Sequence, residues 1–171
     1  DARGQPDSGM IVRPARPEDA EAIAAIQNPV IRDTAITFNP RQRTPDEIAE
    51  AVDALPCFLV AEEGGAVLGF VSYDQFRKGP GYARTMEHTI VLGPDAHGRG
   101  IGRALMTSAE AMAREQGVGS LWAGVSGENP NGVAFHARLG FEEVIRLPKV
   151  GYKFGRWMDL VLMRKWLLDD E

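Results

Sequence analysis

Gly93-Pro94-Asp95-Ala96-His97-Gly98-Arg99-Gly100-Ile101-Gly102-Arg103-Ala104-Leu105 is the stretch on which the fold of this 171-residue chain turns. Before it, Ala83 to Leu92 reads as a strand; after it, Ile101, Leu105, Met106, Ala109, Met112 and Ala113 recur at helical spacing. Glycines at the turn let the backbone bend tightly and bring successive N–H groups towards one point. The positive end of the following helix faces the same point. Strand, glycine loop and helix start therefore predict a cradle for a diphosphate. Gly98, Gly100, Ile101 and Gly102 supply backbone, Arg99 and Arg103 add charge-assisted hydrogen bonds, and His97 is a loop side chain near phosphate. A dinucleotide fingerprint does not fit, because Arg103 stands where its third glycine belongs, and the Gly-Lys-Ser/Thr of a nucleotide P-loop is missing. A glycine-rich turn without a ligand is the alternative on the local pattern alone.

Working outward, Ile11 to Ala15 reads as an edge strand because it holds Pro14. Pro17-Glu18-Asp19 opens a helix with an apolar stripe at Ala22, Ile23 and Ile26, and Asn28-Pro29 is expected to end or kink it. Thr34 to Arg43 reads as loop or bent helix end. Thr44, with Glu47 three residues later, caps a second helix carrying Ile48, Ala51, Val52 and Leu55. From Pro56 the period changes. Phe58 to Glu62 and Ala66 to Phe76 flank the turn Glu63-Gly64-Gly65 and, with residues 83–92, make an antiparallel meander. Downstream, Gly117-Val118-Gly119 stops the long helix and Ser120 to Val125 is a fifth strand. Asn131 to Leu139 is a short helix stopped by Gly140, and Phe141 to Leu147 and Trp157 to Lys165 are the last strands. The sum is an α+β fold (α/β with a mixed sheet): about seven largely antiparallel strands flanked by about four helices.

This length suits one domain, placed over residues 10–168, with residues 1–9 a polar disordered or leftover tail. A net charge of −5 argues against nucleic-acid binding by bulk positive charge, yet leaves room for a basic pocket around an anion. No apolar run approaches the ~20 residues that cross a bilayer, so no membrane partner is expected. The lone Cys57, in an apolar run, reads as a buried structural thiol, and a reducing cytoplasm is the default location.

The loop resembles the coenzyme A signature of the GNAT N-acetyltransferase superfamily, Arg/Gln-x-x-Gly-x-Gly/Ala, with His97 in place of the usual Arg or Gln. Asn129-x-x-Gly132-x-x-Phe135-His136, ending in Leu139-Gly140-Phe141, resembles that family's second segment, with His136 where a tyrosine usually stands. Thr37-Phe38, Tyr82-x-x-x-x-Glu87-His88-Thr89 and Lys153-Phe154-Gly155-Arg156-Trp157-x-Asp159 are most similar to phosphinothricin acetyltransferase and the methionine sulfoximine/sulfone acetyltransferases. The resemblance implies acetyl-coenzyme A as co-substrate, a homodimer, and acetylation of the α-amino group of a small amino-acid-like substrate.

Acetyl transfer to an amine needs a base, a donor for the oxyanion, and a proton for the leaving thiolate. The resemblance puts the family's catalytic glutamate at Glu87. A strand residue facing outward is the plain alternative. His136, titrating near neutrality, can donate or relay a proton, or can simply sit on a short helix. His88 alternates with Glu87, so the two cannot face one cleft. The backbone of Ile90, Val91 and Leu92 is expected to receive the pantetheine arm as an added strand. Asn129 is expected to bond the same arm or cap its helix, with Phe135 beside it. Arg77 and Arg84 are candidates for gripping a substrate carboxylate. Phe38 and Tyr73 are candidate walls, with core packing as the alternative for both. The three histidines lack ligand spacing, so no metal is expected. Two other readings stay open: transfer to a protein N-terminus, a lysine or another amine such as an aminoglycoside, and an acyl-coenzyme A sensor without turnover.

Overall fold

The structure, a computed structural model, describes residues 9–169. Apart from Gly9, the tail expected over residues 1–9 lies outside the described residues. One seven-stranded sheet has the order β1-β2-β3-β4-β5-β7-β6. Its strands are β1 (Met10–Pro14), β2 (Cys57–Glu63), β3 (Ala66–Gln75), β4 (Thr85–Leu92), β5 (Ser120–Ser126), β6 (Glu142–Lys153) and β7 (Arg156–Trp166). Four α-helices accompany it: α1 (Ala20–Asp33), α2 (Pro45–Ala54), α3 (Ile101–Glu115) and α4 (Pro130–Arg138). The expected α+β class, mixed sheet and element count are what the chain forms.

The chain divides into two compact units, each made of three stretches. The first takes the residues up to Gln27, Arg43–Asp74 and Thr89–Met112. Here β1 and β2 pair antiparallel, as do β2 and β3, and Gly64 and Gly65 at φ 58° and 85° make the two-residue turn that a tight hairpin requires. Ala20, Ile23, Ala24, Ile48, Phe58, Val60 and Phe70 form the core, with the Phe58 and Phe70 rings stacked at 5.4 Å. The expected capping box holds α2: Thr44 Oγ1 accepts from the Glu47 N–H at 3.2 Å and the Glu47 carboxylate reaches back to Thr44. Beside this core Arg13 bonds Asp19 and Glu62.

The second unit takes Asn28–Gln42, Gln75–His88 and the residues from Ala113 on. The Phe76 N–H donates to the Thr85 carbonyl and opens the expected turn between β3 and β4. Thr85–Glu87 runs parallel to Ser120–Trp122, while β5–β7 and β6–β7 are antiparallel. A parallel pair needs a long crossover, and α3 supplies it. Gly117, at φ 78°, closes that helix with the bonds Val118 N–H to Ala113 and Gly117 N–H to Arg114, as expected from the glycines there.

Of the two outcomes expected at Asn28-Pro29, an end is excluded, because the first helix runs through the proline to Asp33. Pro29 and Ala25, whose carbonyl loses its helical donor, are both exposed, so water can serve that carbonyl, while Ile31 beyond them is buried. The sixth strand does not stop at Leu147 but continues to Lys153, and the seventh begins at Arg156. β6 is a sheet edge, where Pro148 removes no ladder bond, and a shift of register between Leu147 and Gly151 absorbs the break.

Phe70→Ala removes a side chain that is 1 % exposed and stacked. The expected cost is about 3–5 kcal/mol of unfolding free energy, to be read from urea unfolding with unchanged m-value.

Candidate active site

The glycine loop forms as expected. A short 3-10 turn, Pro94–Ala96, leads to His97 with extended backbone, and Gly98 and Gly100 take φ of 77° and 75° before α3 begins at Ile101. Left-handed residues alternating in a turn point successive N–H groups to one side, making a concavity for an anion. Gly100 is exposed and nothing lies within 4 Å of where a Cβ on it would stand, so the backbone is open to a ligand on that side. Of the two arginines expected to help, Arg103 is exposed, whereas Arg99 is held at 2.7 Å by the Glu63 carboxylate. His97 is exposed and Gly102 is buried.

On β4 the alternation separates two groups. Glu87 is half-buried and makes no hydrogen bond or ion pair with any described residue. It lies beside Trp122, its register partner on β5, and its Oε2 is 2.8 Å from where a Cβ on Gly124 would be. Only a glycine leaves that carboxylate its place. Burial pushes its pKa above the ordinary 4.5. The parallel ladder pairs Thr85, Met86 and Glu87 with Ser120, Leu121 and Trp122.

His88 lies on the opposite face, 6 % exposed, and its Nε2 is 2.9 Å from Nε2 of His136 on α4. His136 Nδ1 lies 2.8 Å from the Gly132 carbonyl, which can only accept, so Nδ1 carries the proton. A neutral His136 then accepts at Nε2, and His88 donates from its own Nε2. His88 Nδ1 is left as a buried acceptor with no partner among the described residues. Phe141 packs edge-on against both rings, and Phe135 against His136. Burial drives His88 down to about 3, helped by His136, and burial lowers His136 as well.

Asn129 caps α4 by accepting from the Gly132 N–H at 3.1 Å. Phe38 is half-buried with its ring against Gly151. Arg77 is exposed and lies over the Tyr82 ring at 5.9 Å; Arg84 is exposed. Tyr73 is 1 % exposed, which is the core packing held as its alternative. Cys57 is buried and its thiol pushed up to about 12. Among the described residues no cluster of three His, Cys, Asp or Glu could hold a metal, and no helix is long and apolar enough to cross a membrane. The sequence reading missed Gly124 as the space under Glu87, although a lone glycine inside a strand signals close approach. It also missed His88 as the partner of His136, which no local pattern announces.

The sequence profile of the acetyltransferase (GNAT) family matches residues 25–141. An L-amino acid N-acyltransferase of Escherichia coli is 36% identical over 91% of this chain and 92% of its own. An L-methionine sulfoximine/L-methionine sulfone acetyltransferase of Salmonella typhimurium is 34% identical over 91% and 93%. The crystal structure of a phosphinothricin acetyltransferase of that superfamily from Sinorhizobium meliloti, in complex with acetyl-coenzyme A, superposes with a TM-score of 0.87. It is 28% identical, over 94% of this chain and 89% of that one.

The histidine pair sets a pH dependence. Below the ordinary 6.5 the unfolded chain takes up protons that the folded pair, held neutral, refuses, so stability falls as pH drops from 6.5 towards 3. His88→Gln is expected to flatten that slope in urea midpoints measured at pH 7, 6 and 5; an unaltered slope means the pair does not set it.

Proposed function

The chain belongs to the acetyltransferase (GNAT) family, and from that premise we propose that it moves the acetyl group of acetyl-coenzyme A directly onto the α-amino group of a small amino-acid-like substrate. The phosphinothricin and methionine sulfoximine/sulfone type is the class intended, and the names of the relatives support it. The observation that carries the reading is Glu87: a half-buried carboxylate, unpaired among the described residues, in the space that Gly124 leaves. A sensor needs no such group. Glu87 takes the proton of the substrate ammonium, directly or through water, and the neutral amine attacks the thioester carbon. The C–S bond breaks as the amide forms.

On the donor side, the loop from His97 to Arg103 takes the pyrophosphate on its N–H groups, chiefly those after Gly98 and Gly100. The backbone of Ile90 to Leu92 receives the pantetheine arm, and Asn129 and Phe135 flank it. For the acid role His136 must part from His88 and take a proton from water at Nε2, which it then gives to the departing thiolate. Phe38, Arg77 and Arg84 serve the acceptor. Both compact units belong to one acetyltransferase domain over residues 10–168, because neither is continuous in sequence. A homodimer is supported by the edge strand β6 and its hairpin, which expose Val144, Ile145, Val150, Tyr152, Phe154 and Trp157. The cytoplasm is the proposed location, without metal, nucleic acid or membrane as partners.

Coenzyme A release is expected with phosphinothricin or methionine sulfone and not with peptides. Release with peptides alone moves the acceptor to a protein amine, and acetyl-coenzyme A binding without release for any amine makes the chain a sensor. Glu87→Gln is expected to lower kcat/KM by about 10²–10⁴-fold and remove the acidic limb of its pH profile; an unchanged rate and profile removes Glu87 as base. For His136→Phe, a fall of less than about threefold removes the acid role.

A further inference from the structure

Lys153 ends β6, is 4 % exposed, and has no carboxylate beside it among the described residues. An ammonium has three hydrogens to donate. Here all three go to backbone carbonyls of one short segment: Ile31 at 2.5 Å, Thr34 at 2.7 Å and Thr37 at 2.8 Å. Ile31 belongs to the last turn of α1, whose carbonyls lack helical donors and carry the negative end of the helix dipole. Its neighbour Thr34 turns inward too, with N–H and Oγ1 both donating to the Val30 carbonyl. The cation thus ends the helix and fixes the following loop in one stroke.

Phe38 is the residue after the last of these carbonyls. Its ring fills the place where a Cβ of Gly151 would be. Gly151 lies two residues before Lys153, and both are buried on the same side of β6. One side of one strand therefore holds the 31–38 segment at two points, by a cation in its backbone and by a glycine under its aromatic ring. We propose that Lys153, with Gly151, is the positioning residue that sets Phe38 for the acceptor substrate, and so acts on recognition of the amine and not on the acetyl donor. The proposal rests on the reading of Phe38 as a wall of the acceptor site.

The test is steady-state kinetics of Phe38→Ala, Lys153→Met, Gly151→Ala and the double variant Lys153→Met/Phe38→Ala, with methionine sulfone and acetyl-coenzyme A each varied. Lys153→Met keeps the stem and removes the charge; Gly151→Ala displaces the ring and leaves the ammonium in place. Each single variant is expected to raise KM for the amine about tenfold or more, with kcat and KM for acetyl-coenzyme A within about threefold. The double variant is expected to be no worse than Phe38→Ala, because the two changes remove one and the same contact. Additive effects, or an equal rise in KM for the donor, overturn the proposal. If Phe38→Ala raises KM for the amine while Gly151→Ala does not, positioning fails and the wall survives. If Phe38→Ala changes nothing, the wall itself fails and the proposal with it. Should Lys153→Met not fold, the Gly151→Ala result decides alone.

Discussion

Side chains on a strand alternate between the two faces of its sheet, and β4 obeys that constraint at a place where both faces carry chemistry. Glu87 goes to the face left open over Gly124, and His88 goes to the face where His136 lies. The neighbouring strand keeps the same parity. Leu121, Ala123 and Val125 are buried, whereas Trp122 and Gly124 are not. A slip of one residue in the Thr85–Ser120 pairing would bring the carboxylate into the apolar layer and the histidine out of it. Burial of Met86 and Leu121 is what makes that slip costly, so the packing of apolar side chains holds the register that the catalytic proposal needs.

The glycine loop solves a different problem with the same economy of parts. Its one partly buried arginine is neutralised by Glu63, so the cradle offers an anion mainly oriented N–H groups and the start of α3. Oriented N–H groups of this kind suit a chain of net charge −5, and they do not depend on whether residue 97 is His, Arg or Gln. A cradle of backbone depends on φ at Gly98 and Gly100 more than on the residues between them.

Features written in adjacent residues were legible from the sequence. The Thr44/Glu47 capping box, the Gly64-Gly65 turn and the stop at Gly117 each rest on chemistry within six residues, and each formed as read. The glycine loop belongs with them. At Pro29 an end and a kink both stayed open, because a proline's effect on a helix depends on which side it faces, a property of packing. β7 lies between β5 and β6 in the sheet, which no strand signal announces. In the candidate site, Glu87 could be picked out from its place before the loop. His88 and His136 meet across 48 residues, and Lys153 reaches carbonyls more than a hundred residues away. Contacts of that span leave no periodicity for a sequence reading to find.

The burial of Lys153 also removes an amine from the surface, where acyl thioesters modify lysines. Free ammonium groups that lose a proton react with such donors, whereas guanidinium groups stay protonated. Of the nineteen basic residues in this chain, four are lysines, and Lys153 is 4 % exposed with its ammonium bonded to three carbonyls. Lys165 likewise turns its ammonium onto the Leu139 carbonyl. Most of the positive charge in this chain therefore stands on guanidinium groups, a form that acylation of amines does not erase, and the amine that fastens the Phe38 segment is buried among the carbonyls it bonds.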